Sequence, residues 1–235
     1  DFYKFPDEYH CLWGITVTPT LSQRAKSFRE MIAGKKGIIE KWTKLGVKGW
    51  RLDVVDELRE DFVKDIRKAV KKNNSQAVLI GEVWEDASNK VAYSYRRHYF
   101  QGEELDGVMN YPFKEETLAY ALGGSADSFI ETVSAIVENY PRQSLDTTMN
   151  LIDSHDTARA LSVLSGIDMS GTDKAYRRDF RMSGDIYELA RKRLILASAI
   201  QFMLPGIPSI FYGDERGMQG YEDPLCRRTV DWNNC

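Results

Sequence analysis

Apolar positions along the chain follow two alternating rhythms. Ile38, Ile39, Trp42 and Leu45 recur at helical spacing, and Gly46 stands where that helix should stop. Residues 49–55 then read as a strand, and Phe62, Val63, Ile66, Ala69 and Val70 mark a second helix. Residues 77–82 predict a second strand and 106–110 a third. Helical patterns follow over 113–122 and at Phe129, Val133, Ile136, Val137 and Tyr140. Residues 148–152 predict a fourth strand, about 186–204 a long apolar helix, and 207–212 a fifth strand. Short, nearly all-apolar strands separated by helices imply an α/β fold whose parallel sheet is covered on both faces. Five such units suit a doubly wound sheet or part of a (β/α)₈ barrel. Periodicity alone leaves both open.

Composition and charge act mainly by exclusion. A chain of 235 residues buries roughly 70–75% of its unfolded surface, enough for a core without staples. With 32 basic and 35 acidic residues the net charge is −3, which argues against nucleic-acid partners and a polybasic membrane surface. Residues 194–213 carry no charge and approach the length of a membrane span, but Pro205-Gly206-Ile207-Pro208 divides them into a helix and a short strand. Cys11, Cys226 and Cys235 form no CxxC pair, so neither a disulfide framework nor a zinc knuckle is expected. With no charged and apolar leader in view, a reducing, cytoplasmic setting is the expectation. No repeat, low-complexity tract or Pro/Ser-rich linker divides the chain.

Candidate chemistry collects where the strands end. Asp53, Glu82, Asn110 and the pair His155-Asp156 each fall at the C-terminal end of a predicted strand or just past it, where parallel α/β folds place active sites. Arg51 and Asp53 are two residues apart and project to the same side of a strand. A guanidinium beside a carboxylate favours the anion that a nucleophile requires. Glu82 follows Val78-Leu79-Ile80 and precedes Val83-Trp84, and apolar surroundings favour the neutral carboxyl that a proton donor requires. Each feature alone has a structural reading: an ion pair, a helix cap, a turn closed by Asp156, or core packing for Trp84, Trp50 and Tyr111. The repeated strand-end placement weakens those readings together.

The wording of three segments goes further. Gly49-Trp50-Arg51-Leu52-Asp53-Val54-Val55-Asp56-Glu57, Gly81-Glu82-Val83-Trp84 and Asn150-Leu151-Ile152-Asp153-Ser154-His155-Asp156-Thr157 resemble consecutive signature segments of the α-amylase superfamily (glycoside hydrolase family 13), in that family's order. Asp106-Gly107-Val108-Met109-Asn110-Tyr111-Pro112-Phe113 and the run from Pro205 to Glu215 resemble it too. Asp56-Glu57, and Trp13-Gly14 followed by Thr18-Pro19-Thr20-Leu21, look most like cyclomaltodextrinase, neopullulanase and maltogenic amylase. The resemblance implies Asp53 as nucleophile, Glu82 as general acid/base and Asp156 as transition-state stabiliser. It further implies that Arg51 orients Asp53, that His155 binds the sugar, that Glu57 contacts the leaving-group side, and that Trp84 and Asn110 line the cleft. A retaining mechanism on an α-glucan is then expected, with the Asp53 and Glu82 carboxyls roughly 5–6 Å apart.

One signature is missing. The family's third strand ends in Asp-x-x-x-Asn-His, and this sequence holds no Asn-His pair; its three histidines are His10, His98 and His155. The chain therefore resembles strands four to eight of a TIM barrel, a single catalytic-domain fragment over 1–235 without the subgroup's N-terminal and C-terminal β-domains. No cofactor is expected, although family members with the histidine segment include some that bind calcium. Exposed barrel edges would invite a homo-oligomer or a swapped dimer, and the isolated chain is expected to be weakly active or inactive. The rival class is a non-catalytic carbohydrate-binding or assembly module on the same fold. A transglycosylase differs only in the acceptor.

Overall fold

The computed structural model describes residues 3–5 and 8–232, with side chains from residue 9 onward; Cys235 lies outside them. The chain divides into two compact units, Asp1–Glu82 with Asn89–Gly107, and Val83–Ser88 with Val108–Cys235.

The first unit is built on β1 (Gly49–Leu52), parallel to β2 (Val78–Gly81), with Arg51 opposite Ile80 and Leu52 opposite Gly81. Helices α1 (Lys26–Ala33) and α2 (Ile38–Lys44) precede β1, and α3 (Glu60–Asn73) carries the chain from β1 to β2. All five apolar residues that predicted α3 are buried, each contributing about 1.5–3 kcal/mol for a Val, Ile or Phe side chain. Glu60 and Asp61 in its first turn and Lys71 and Lys72 in its last oppose the helix dipole. In α2 only Ile39 of the predicted apolar face is buried, while Trp42 and Leu45 stay exposed. Strand β3 (Gly107–Val108) follows β2 in the sheet order, and Asp106 just before it both donates its N–H to Leu79 O and accepts the Leu79 N–H, each at 2.8 Å.

In the second unit Met109 bridges in parallel to Met149, the first residue of β4 (Met149–Leu151), which pairs in parallel with β5 (Ile207–Ser209). Helices α4 (Tyr111–Ala121), α5 (Ala126–Asn139) and α6 (Gly184–Met203) lie between these strands in sequence. A buried polar ladder ties β4 to β5: Gln201 Nε2 donates to Asn150 O and Ser209 O, both at 2.8 Å, and the Asn150 amide donates to Pro205 O at 2.9 Å. Gly206, at φ 122°, is required there, because a Cβ would stand 2.7 Å from the Asn150 side chain. Within each unit the paired parallel strands follow one another in sequence order. No helix among the described residues is long and apolar enough to cross a membrane.

All five strands are shorter than their patterns predict, the first and the fifth by three residues each at the C-terminal end. The first ends at Leu52 and not at 55, because Val54 adopts φ 42°, ψ 55° and turns the chain into a 3₁₀ turn at Val55–Glu57. The fifth ends at Ser209 and not at 212. The pattern also passed over α1 and a small antiparallel ribbon, Val91–Ala92 with Tyr95–Arg96.

Candidate active site

In the first unit the end of β1 places Asp53 in solvent, its side chain 70% exposed, while Glu82, just past β2, is 4% exposed. One guanidinium serves both carboxyls: Arg51 Nη1 pairs with Asp53 Oδ1, and Nη2 lies 3.1 Å from Glu82 Oε2. Arg51 and Asp53 thus meet as their spacing implies, and the two acids lie within reach of one side chain.

The turn after Asp53 is laced to Glu82. The Val54 N–H donates to Glu82 Oε2 at 2.8 Å, the Glu82 N–H donates to Leu52 O at 2.9 Å, and the Val55 N–H reaches Glu82 O at 3.4 Å. A β-branched residue with positive φ is an outlier of the kind that surrounding structure must enforce, and here it aims the N–H at the carboxylate. Gly81 makes room, since a Cβ would meet Leu105 at 2.5 Å and Val55 at 2.9 Å. The apolar setting expected for Glu82 therefore contains a backbone donor, Val54 N–H, and an ion-pair partner, Arg51.

Residues beyond the motif hold this turn. Tyr99 donates to Asp56 Oδ1, Lys90 pairs with Asp56 Oδ2 at 3.1 Å, and Arg97 Nη2 donates to Leu58 O at 2.6 Å. Burial, reinforced by Asp56, drives the Tyr99 phenol far above its ordinary range, so it remains a donor. Glu57 accepts from Trp13 Nε1 at 2.9 Å and from the Tyr93 hydroxyl. A hollow of about 300 Å³ opens beside these groups, lined by Leu21, Phe28, Asp53, Val54, Glu57 and Leu58 among others. A larger depression of about 720 Å³ touches none of the candidate acids; its Arg29 is already paired with Asp61 and Asp65.

In the second unit His155 and Asp156 lie together, with His155 Nε2 3.1 Å from Asp156 Oδ2. The other oxygen, Oδ1, accepts from Arg227 Nη2 at 3.0 Å. Arg227 Nε and Cys226 Sγ both donate to the His155 carbonyl, at 2.8 and 3.2 Å. The Asp156 N–H donates to Ser154 Oγ at 3.2 Å, and that hydroxyl also meets Tyr111 OH at 3.2 Å. Trp84 stacks on Tyr111 with centroids 4.0 Å apart and leaves 45% of its surface exposed. Asn110, expected along the cleft, is 2% exposed; its amide donates to Asn150 Oδ1 at 3.0 Å, and its Oδ1 caps α4 by accepting the Phe113 N–H at 3.3 Å. Among the described residues no group of three or more His, Cys, Asp or Glu is placed to hold a metal ion.

Motif reading missed Arg227, Tyr111 as a partner of Ser154, and the clamp from Lys90, Arg97 and Tyr99. Arg227 lies 71 residues from Asp156, and no local pattern links the two.

Comparison with known proteins agrees with the motifs. Residues 4–235 match the family described as Alpha amylase, catalytic domain. The chain belongs to the alpha-amylase family. A Cyclomaltodextrinase from Bacillus sp is 35% identical over 80% of the chain, and Neopullulanase 2 from Thermoactinomyces vulgaris is 34% identical over 81%. In each case the chain spans 28% of the relative's own length. The structure of the type III pullulan hydrolase from Thermococcus kodakarensis superposes with a TM-score of 0.76 at 29% identity, over 95% of this chain and 36% of that one. The α/β fold is thus consistent with an amylase-like TIM-barrel domain, and the relatives belong to the subgroup that Asp56-Glu57 resembles.

Proposed function

We propose that the protein carrying this chain is a retaining α-glycoside hydrolase acting on α-1,4-linked and, in some substrates, α-1,6-linked glucans such as cyclodextrins, pullulan or maltooligosaccharides. The observation that carries this reading is one exposed and one buried carboxyl held on a single guanidinium at adjacent parallel strand ends. In the proposed scheme Asp53 attacks the anomeric carbon while Glu82 gives its proton to the leaving oxygen, and that oxygen keeps the electrons of the broken C–O bond. Glu82, now a carboxylate, takes a proton from water, whose oxygen attacks the glycosyl ester and frees Asp53. Asp156 and His155 are assigned to the sugar hydroxyls, Glu57 to the leaving-group side, and Trp84 to an aromatic contact. Family membership and the presence of all three acids favour this over a binding-only module.

The relation to strands four to eight of a barrel belongs to the same proposal. It is supported by the in-order parallel strands and by the 28% of the relatives' length that the chain spans. Among the described residues β1 and β5 are edge strands, and Leu196, Phe202, Met203 and Ile207 expose apolar surface. We therefore expect weak or no turnover from the 235-residue chain alone, with a second copy able to pair at those edges.

The test is Glu82→Gln in the full-length protein, assayed on cyclodextrin, pullulan and linear maltooligosaccharide. Hydrolysis should fall by about 10²–10⁴-fold while oligosaccharide binding persists. Unchanged hydrolysis would remove Glu82 from the chemistry.

A further inference from the structure

The second unit holds a pair of acids that the scheme above does not use. Asp153, three residues before Asp156, is 2% exposed, and its Oδ2 accepts the Ala160 N–H at 2.8 Å. Its Oδ1 has no hydrogen-bond donor, and neither has Asp214 Oδ2, although the two carboxyls face each other. Beside them lies Arg159, with no exposed surface. Its Nη1 donates to Asp214 Oδ1 at 3.1 Å and to Tyr212 O at 2.6 Å, and its Nε donates to Cys226 O at 2.9 Å. The guanidinium lies over the rings of Phe211 and Tyr212, at 4.4 and 4.8 Å from their centroids.

Charge arithmetic leads to a shared proton. Two carboxylates and one guanidinium would leave a net negative charge away from water, with two acceptor oxygens empty and turned together. One proton between them neutralises the set and satisfies both oxygens. The remaining charged or titratable neighbours do not replace it: Lys114 on α4 is paired with Glu115 at 2.6 Å, and burial keeps the Cys226 thiol protonated. Burial raises both acids, and Asp214, with Asp153's charge adding to the effect, is pushed up to about 9. The same set grips the chain on both sides of His155-Asp156. Asp153 and Arg159 bracket the segment, and Arg159 holds Cys226, whose thiol donates to the His155 carbonyl.

We propose that Asp153 and Asp214 share one proton beside the Arg159 guanidinium, and that the three are positioning residues for the Ser154–Asp156 segment. The positioning role rests on the glycosidase reading of Asp156; the shared proton does not.

Below about pH 4 both the folded and the unfolded chain hold this proton, and only the folded chain keeps it up to about pH 9. The folded state therefore binds one more proton across that window, and stability from this source falls as pH rises through it. Asp214→Asn keeps the shape and supplies an N–H donor that does not titrate. In the full-length protein, Tm should fall more steeply from pH 5 to pH 9 in the wild type than in D214N. Infrared difference spectra should show a protonated-carboxyl band that D214N lacks. Asp153→Asn provides the same readouts if D214N does not fold. Parallel Tm curves with no such band would overturn the shared proton. For positioning, Asp214→Ala should lower kcat with little change in KM, and D214N should restore it; wild-type kcat in D214A would overturn that role. Diverging melts in a protein that hydrolyses no glucan would leave the proton unit standing and remove the glycosidase reading instead.

Discussion

Each unit sets two carboxyls against one arginine, and the two sets differ in their access to water. Around Arg51 one acid is 70% exposed and the other, buried, accepts the Val54 N–H. Around Arg159 all three side chains are buried, with Asp214 at 7%. The Arg51 set opens to solvent through Asp53, whereas no member of the Arg159 set does. The same residue types thus stand at an open strand end in one place and in a closed interior in the other, and the proposed roles differ accordingly.

Removing each arginine separates the two roles. Arg159→Ala strands two buried acids and should cost about 3–5 kcal/mol in urea unfolding; a loss below about 1 kcal/mol would mean that the set does not act as a unit. Arg51→Ala should do the reverse. Its pair with Asp53 stands in water, and buried Glu82 keeps the Val54 N–H, so the stability loss should stay below about 3 kcal/mol, while kcat falls on the order of 10²-fold as the two acids lose their common anchor. Equal stability losses in the two variants would erase the distinction. The smallest expected effect is Val54→Gly, which keeps the N–H on Glu82 and relieves a left-handed conformation worth about 1–2 kcal/mol. The unfolded state gains freedom in return, so the net change should stay within about 1 kcal/mol. A larger loss would show that the valine side chain itself holds the turn.

What was legible in the sequence follows the range of the forces involved. The five apolar residues of α3 repeat within two turns, so their shared face is a local fact, and all five are buried. Arg51 and Asp53 sit two residues apart and meet. The left-handed Val54 was hidden because a β-branched residue argues for a continuing strand, and its conformation is imposed by contacts with Glu82 and Val55 near Gly81. Asp214 and Asp153 lie far apart in the chain, and nothing in either neighbourhood says that they face each other. Tyr99 on Asp56 and Arg227 on Asp156 are likewise products of the tertiary fold.

The central claim is that Asp53 becomes covalently glycosylated. It is tested most directly by treating the full-length protein with a fluorinated α-glucosyl substrate whose second step is slow, then mapping the adduct by peptide mass spectrometry. The account predicts one sugar, bound to Asp53. A sugar on any other residue, or glucan turnover with inverted anomeric configuration and no adduct, would contradict it.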